Sequence, residues 1–134
     1  ESSGDVRRVT AVREVNGDRL VIFAGMDDMI VESVPMGASG WVAGLVNALP
    51  AESVEVYEAA REGRWEDARA LYEWFLPLLR LDTVPKFVQL IKLMQERVGL
   101  GSERVRAPRL VVQGAERDAA LKVIDHAIAT RPAL

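Results

Sequence analysis

Two adjacent carboxylates, Asp27 and Asp28, follow the apolar run "LVIFA" at residues 20–24, with only Gly25 and Met26 between. Runs that are apolar throughout are typical of parallel strands buried on both faces. Carboxylates at the end of such a strand could accept hydrogen bonds from the hydroxyl groups of a ligand, whereas they would repel a ligand carboxylate. The alternative is structural, because either aspartate could instead cap a helix that runs to about residue 36.

A second apolar run, "GWVAGL" at residues 40–45, alternates small and bulky side chains. Successive side chains of a strand point to opposite faces, which places Gly40, Val42 and Gly44 on one face and Trp41, Ala43 and Leu45 on the other. The small set is then expected to face inward, where it leaves room for a ligand. The alternative is that glycine at these positions only relieves packing.

Few other side chains could carry chemistry. The chain has no Cys and a single His, His126, so a cysteine nucleophile and thiolate metal sites are excluded, and a lone histidine without carboxylate or Cys partners is a poor metal site. Ser2 and Ser3 have no His partner for a catalytic triad, and we expect Ser3 or Asp5 to cap the first helix. We therefore predict neither a metal ion nor an organic cofactor.

The charge pattern limits the possible partners. Asp and Glu number 20 against 17 Lys and Arg, which gives a net charge of -3. Without a Lys/Arg cluster there is nothing to bind a phosphate backbone, so we expect no nucleic-acid partner. The apolar runs are too short to cross a bilayer, so we expect no membrane segment and take the cytoplasm as the default location.

The order of elements predicts an α/β fold followed by helices. A helix at residues 5–15, a strand at 20–24, a helix ending at Gly37 and a strand at 40–45 form the alternation of a parallel sheet. Four further helices are predicted at residues 51–61, 65–79, 85–98 and 115–129. The helix at 65–79 places Ala68, Leu71, Tyr72, Phe75 and Leu79 on one face, with Tyr72 expected to act in packing, and the helix at 5–15 carries a stripe of Val6, Val9, Val12 and Val15. We divide the chain into an α/β part, residues 1–62, and a helical region, residues 63–134. Two strands cannot cover both faces of a sheet and protect both edges, so we expect a larger α/β body.

Five segments together resemble a known family. In order and spacing, "ESSGD", "FAGMDD", "MGASGWVAGLVN", "REGRWEDARALYEWFLPLL" and "RAPRL" are similar to the C-terminal half of the dihydrodipicolinate synthase and N-acetylneuraminate lyase family. The resemblance implies a (β/α)8 TIM barrel followed by a three-helix C-terminal region, assembled as a homotetramer of two dimers. It also implies a lysine that forms a Schiff base with a 2-keto acid and stands immediately before Glu1, outside this sequence.

The resemblance implies a set of substrate-binding positions: Gly25, Met26, Asp27, Asp28, Val42 and Gly44. In the sugar-acid lyases of the family a serine commonly stands at the position of Gly44, so one hydroxyl contact to the substrate is expected to be lost here. Asn47 is expected to bond to nearby backbone instead of the substrate.

One segment departs from the family. Synthases often carry Asn-Pro-x-Pro-Val-Lys before the penultimate helix, whereas this chain has "LDTVPKFVQLIK" and retains only Lys92 recognisably. With the paired aspartates, this departure favours a deaminase or dehydratase acting on a hydroxylated 2-keto or cyclic imino acid, such as the hydroxyproline-pathway deaminases or the 2-keto-3-deoxy-sugar-acid dehydratases. The alternatives are a 4-hydroxy-tetrahydrodipicolinate synthase, a 2-keto-acid aldolase, and a non-enzymatic helical interaction module built from residues 50–134.

Overall fold

The computed structural model describes residues 2–134. Helices dominate it, with two short strands near the start. In chain order the elements are α1 (Arg7–Asn16), β1 (Phe23–Ala24), α2 (Ile30–Ser33), β2 (Gly40–Trp41), α3 (Pro50–Arg61), α4 (Trp65–Leu79), α5 (Phe87–Arg97) and α6 (Gly114–Ala129). Single 3-10 turns lie at Gly17–Arg19, Asp27–Met29, Leu45–Asn47 and Arg80–Asp82.

The two strands pair in parallel, as the alternation of helices and strands predicts. Phe23 lies opposite Gly40 and Ala24 opposite Trp41, and the ladder is extended by the Val42 amide, which donates to the Ala24 carbonyl at 2.9 Å. Each strand has only two residues, whereas runs of five and six residues were expected. Within residues 2–134 neither strand has a second neighbour.

The prediction that the first run is buried on both faces is wrong for this chain. Leu20, Val21 and Phe23 are exposed, and Phe23 retains 46% of its accessible surface. Only Ala24, at the end of the run, is buried. The physical reason is that no other described element covers the outer face of these strands.

The segment after β1 also differs from its prediction. Asp27 begins a 3-10 turn, α2 covers four residues, and neither aspartate side chain caps it. The expected stop at Gly37 is wrong, since α2 already ends at Ser33. Gly37 instead closes the turn that follows the helix, with φ 104° and its amide donating to the carbonyl of Val34. Glycine adopts such a conformation without steric cost.

The helical stripes are mostly confirmed. Predicted stripe residues of α4, Ala68, Leu71, Tyr72, Phe75 and Leu79, are all buried. The stripe of α1 is an exception, because only Val9 is buried and Val15 is 82% exposed. The N-cap of α1 is Val6 and not Ser3 or Asp5, but Oδ1 of Asp5 accepts a hydrogen bond from the Arg7 amide at 3.0 Å at the start of the helix. The adjacent Arg7 guanidinium lowers the pKa of the Asp5 carboxyl.

The core is built around α4. A single apolar cluster joins Ile30 and Leu45 from the segments after the strands with Phe75 and Leu78 of α4 and Ile124 of α6. Full burial of side chains of this size stabilises a fold by roughly 1.5–3 kcal/mol each. The cluster therefore runs across the boundary at residue 62, and the division into two parts stays a prediction. No helix among residues 2–134 is long and apolar enough to span a bilayer.

Candidate functional site

The residues after the two strands meet at one edge of the sheet. Because β1 and β2 are parallel, their carboxyl ends lie side by side, which is where ligands bind in barrels and open α/β sheets. The structure thus brings residues 25–28, after β1, next to residues 42–45, after β2.

Asp27 forms the link between the two segments. Its carboxylate is fully buried, at 0% exposure. Oδ1 accepts hydrogen bonds from the Trp41 indole Nε1–H at 3.1 Å and the Gly44 amide at 3.0 Å, while Oδ2 accepts one from the Leu45 amide at 2.8 Å. Burial raises the pKa of Asp27, although these three donors act in the opposite direction. The carboxylate is therefore occupied by the protein itself.

Asp28 has a different environment. Its Oδ1 is buried and accepts no hydrogen bond from the described residues. Its carbonyl accepts a hydrogen bond from the Tyr72 hydroxyl of α4, which also lies 3.0 Å from Oε2 of Glu32. Burial and the neighbouring Glu32 charge raise the pKa of Tyr72. The segment after β1 is thus tied to the helical region through one phenol.

Gly44 lies outside the strand, so the face assignment extrapolated beyond Trp41 is wrong. The ladder ends before Gly44. The amides of Gly44 and Leu45 donate to the Asp27 carboxylate, at the start of a 3-10 turn. A Cβ added to Gly44 would lie 2.4 Å from Oδ1 of Asp82, so this carboxylate fills the space in front of the glycine. Asn47 Nδ2 donates to the Gly44 carbonyl at 2.8 Å, which confirms the expected bond to nearby backbone.

Gly40 supports the packing alternative. A Cβ at this position would lie 2.4 Å from Cε1 of the Phe23 ring, its neighbour in the strand register. Glycine here therefore makes room for an aromatic ring of the protein. Val42, in contrast, is 56% exposed.

A cavity of about 350 Å³ opens beside the end of β1. Gly25 and Met26 line it together with Ser3 and Gly4, which lead into α1, and Ser33 of α2. Of the six predicted substrate-binding positions, only Gly25 and Met26 contribute to this lining. Glu1, which the missing lysine is expected to precede, lies outside the described residues, so that expectation stays untested.

The model of one protein family, the Dihydrodipicolinate synthetase family, matches residues 1–127. The chain belongs to this family. Its parallel strands and surrounding helices are therefore part of a TIM-barrel fold. Curated proteins with a similar sequence include the 4-hydroxy-tetrahydrodipicolinate synthase of Acidobacterium capsulatum. The two sequences are 29% identical over 120 residues, and the alignment covers 87% of this chain and 39% of that protein.

Two further relatives are also matched over less than half of their own length. The 4-hydroxy-tetrahydrodipicolinate synthase of Clostridium perfringens is 37% identical over 78 residues, or 58% of this chain and 27% of that protein. The crystal structure of dihydrodipicolinate synthase from Oceanobacillus iheyensis superposes with a TM-score of 0.83 at 25% identity, covering 98% of this chain and 45% of that chain. The chain therefore spans less than half the length of these relatives.

Sequence reasoning missed two contributors to this site, Tyr72 and Asp82. Tyr72 was assigned to packing alone, although a buried tyrosine hydroxyl usually needs a hydrogen-bond partner, and that signal was present. Asp82 lies in the segment that departs from the family, and no local pattern places it beside Gly44. His126 is exposed, and residues 2–134 hold no group of three acidic or imidazole side chains suited to a metal ion.

Proposed function

We propose that this chain is the C-terminal half of a Schiff-base enzyme that eliminates water or ammonia from a short hydroxylated 2-keto or cyclic imino acid. The observation that carries the proposal is the family match over residues 1–127, together with the cavity that Ser3, Gly25 and Met26 line at the carboxyl end of β1. The family consists of Schiff-base lyases, and this edge of the barrel is where such enzymes hold their substrates.

The proposed reaction starts at the lysine expected before Glu1. Its neutral amine attacks the 2-keto carbon, and loss of water gives an iminium ion. The iminium withdraws electrons, so the neighbouring carbon loses a proton and an enamine forms. The enamine electron pair then expels hydroxide or an amine from the next carbon, and the leaving group takes up a proton. Hydrolysis of the Schiff base releases the product and restores the lysine.

The two aspartates after β1 have different roles with respect to a substrate hydroxyl. Asp27 is fully buried and bonded within the protein, so it does not bind that hydroxyl. Asp28 as a whole is only partly buried, and it is the carboxylate that we propose for a substrate hydroxyl. For Val42, which is 56% exposed, we propose a contact from the side chain. For Gly44, which has no side chain, we propose a contact through the backbone.

A 4-hydroxy-tetrahydrodipicolinate synthase is the second candidate. The names of the curated relatives favour it. Against it stands the segment at residues 81–92, where the Asn-Pro-x-Pro-Val-Lys pattern is lost. The two candidates share the Schiff base and differ only after the enamine, which either expels a leaving group or attacks an aldehyde.

The open sheet supports a place for this chain within a larger barrel. Phe23 and Val42 are about half exposed, and each strand has a free outer edge within residues 2–134. Further strands would pair with these edges and cover the apolar side chains. We expect the homotetramer from the family resemblance alone, and the cytoplasmic location stays the default that the sequence suggests; light scattering of the full-length protein tests the first.

Borohydride trapping of the full-length enzyme tests the proposal. Reduction in the presence of pyruvate should add the mass of a reduced pyruvate adduct to one lysine, whereas borohydride alone and pyruvate alone should add nothing. An unchanged mass would reject the Schiff-base mechanism. Assays with a hydroxy-pyrroline carboxylate, several 2-keto-3-deoxy acids, and pyruvate plus an aldehyde then separate deamination, dehydration and synthase activity.

The helical interaction module makes a different prediction. If residues 1–134 expressed alone melted cooperatively as a monomer, the non-enzymatic alternative would gain support. We expect this chain alone to aggregate or remain loosely packed, because its strand edges and apolar strand residues would be uncovered.

A further inference from the structure

We propose that Asp27 is a positioning residue: it holds residues 41–45 in the shape that the active site requires, and it does not touch the substrate. This inference rests on the proposed function, because it concerns the same edge of the barrel. It differs from the expectation drawn from the family resemblance, in which the aspartates after β1 contact the substrate directly.

The Asp27 carboxylate is not accessible to a ligand. The Asp27 carboxylate is 0% exposed, so a ligand in the neighbouring cavity cannot reach it. A carboxylate has about four acceptor positions, and three donors of the protein already use the two oxygens of Asp27. A bond to a substrate hydroxyl would require the protein to release at least part of this arrangement.

Two of the three donors to Asp27 are backbone amides that need an acceptor. Gly44 and Leu45 stand at the start of the 3-10 turn Leu45–Asn47. The first amides of a helical turn have no acceptor within the turn, so they need one from elsewhere. Asp27 supplies that acceptor from the segment after the neighbouring strand. Asp27 therefore fixes the position of the turn that follows β2.

Asp27 is also adjacent in the chain to residues that line the cavity. Asp27 follows directly after Gly25 and Met26, which line the cavity. One carboxylate thus joins the cavity-lining segment to residues 41–45, while the Asp82 carboxylate packs against Gly44 from the helical region. A movement of residues 44–45 would therefore displace Asp27 and, with it, the cavity-lining residues Gly25 and Met26.

Asp27→Asn is the sharpest substitution for the test. The amide has the same shape but only one acceptor atom, so either Gly44 and Trp41 or Leu45 would face an NH2 group in place of an oxygen. Asp18→Asn is the matched control, because Asp18 is fully exposed and pairs only with Arg13. Both variants are made in the full-length protein.

Hydrogen exchange tests the inference without relying on activity. In Asp27→Asn, the peptide spanning residues 41–47 should exchange about tenfold faster, as expected when a buried amide loses its acceptor. Peptides from α6 should exchange as in the wild type, and Asp18→Asn should change neither region. Unchanged exchange in residues 41–47 would overturn the positioning role, whatever the reaction of the enzyme proves to be.

Substrate titrations of borohydride trapping separate positioning from direct contact. A positioning residue should raise the concentration needed for half-maximal trapping by the same factor, about three- to tenfold, for a hydroxylated 2-keto acid and for pyruvate, which has no hydroxyl. An increase confined to the hydroxylated compound would mean that Asp27 binds that hydroxyl, and an unchanged half-maximal concentration with only a lower melting temperature would mean a purely structural role. Either result would overturn the inference.

A milder substitution covers the case in which Asp27→Asn fails to fold. Trp41→Phe removes one of the three hydrogen bonds and keeps an aromatic ring at that position. It should increase exchange of residues 41–47 and raise the half-maximal trapping concentration equally for both compounds, each by a smaller factor. Absence of both effects would count against the inference. Failure of borohydride trapping in the wild type would instead reject the proposed function.

Discussion

Arg131, in the segment that follows α6, donates a hydrogen bond from Nε to Oε1 of Glu52 on α3. The two residues are 79 positions apart in the chain. Glu52 is only 1% exposed, and its second oxygen, Oε2, is buried without a hydrogen bond from the described residues. A carboxylate in this environment depends on its one cation, so the pair fixes the end of α6 against the helix that follows the barrel strands.

Substitution of Arg131 should therefore be more harmful than its exposure suggests. We expect Arg131→Ala to lower the free energy of unfolding by about 2 kcal/mol, because it leaves a buried carboxylate without a partner. Urea unfolding of the full-length protein measures this. The double variant Glu52→Gln with Arg131→Ala should be more stable than Arg131→Ala alone, since the charge has been removed. A double variant that is less stable would contradict this account.

The Tyr72 hydroxyl should contribute more than an ordinary surface hydroxyl. It donates to the Asp28 carbonyl and lies beside Glu32 in a buried environment. We expect Tyr72→Phe to lower the free energy of unfolding by about 1–2 kcal/mol. Tyr57→Phe is the matched control, because its hydroxyl donates to the Ser39 carbonyl at an exposed position. Equal losses for the two variants would show that the tie between α4 and the Asp28 segment adds nothing.

The buried Asp27 carboxyl predicts a pH dependence of stability. Because burial raises its pKa above the ordinary 3.8, folding favours the protonated form. The contribution is fully present below the pKa of the unfolded chain and is lost as the pH rises through the higher folded pKa. The stability of the wild type relative to Asp27→Asn should therefore decrease as the pH rises from about 3.8 and then become constant.

The opposite change of this stability difference with pH would reverse the direction inferred for the Asp27 pKa. If the advantage of the wild type grew with rising pH, the three hydrogen bonds to the ionised carboxylate would outweigh its burial, and the folded pKa would lie below the ordinary value. Denaturant titrations of both proteins across this range provide the measurement, with Asp18→Asn as the control for an exposed carboxyl.

Gly44 should tolerate no side chain while Asp82 is present. The added Cβ of Gly44→Ala would lie 2.4 Å from Oδ1 of Asp82, and we expect a loss of about 1–2 kcal/mol as that carboxylate is displaced. In an Asp82→Ala background the same substitution should cost little, because the space is then free. Additive losses in the double-mutant cycle would show that the two positions do not interact.

Local patterns in the sequence determined most of the helices. The stripe of α4 and the bounds Trp65–Leu79 agree with the prediction, and α3 begins at a proline and ends before Gly63, which has φ 76°. Periodicity and terminal residues act over one or two helical turns, so a reading of neighbouring residues captures them. The family resemblance was likewise visible in five short segments.

The tertiary structure alone decided the extent of the strands and the role of Asp27. Whether an apolar run is buried depends on elements that pack against it, and no described element covers Phe23. Whether a carboxylate faces a ligand or the protein depends on donors far along the chain, here the amides of Gly44 and Leu45. Such contacts join residues 17 and 18 positions apart, and their geometry exists only once the two parallel strands have brought their carboxyl ends together.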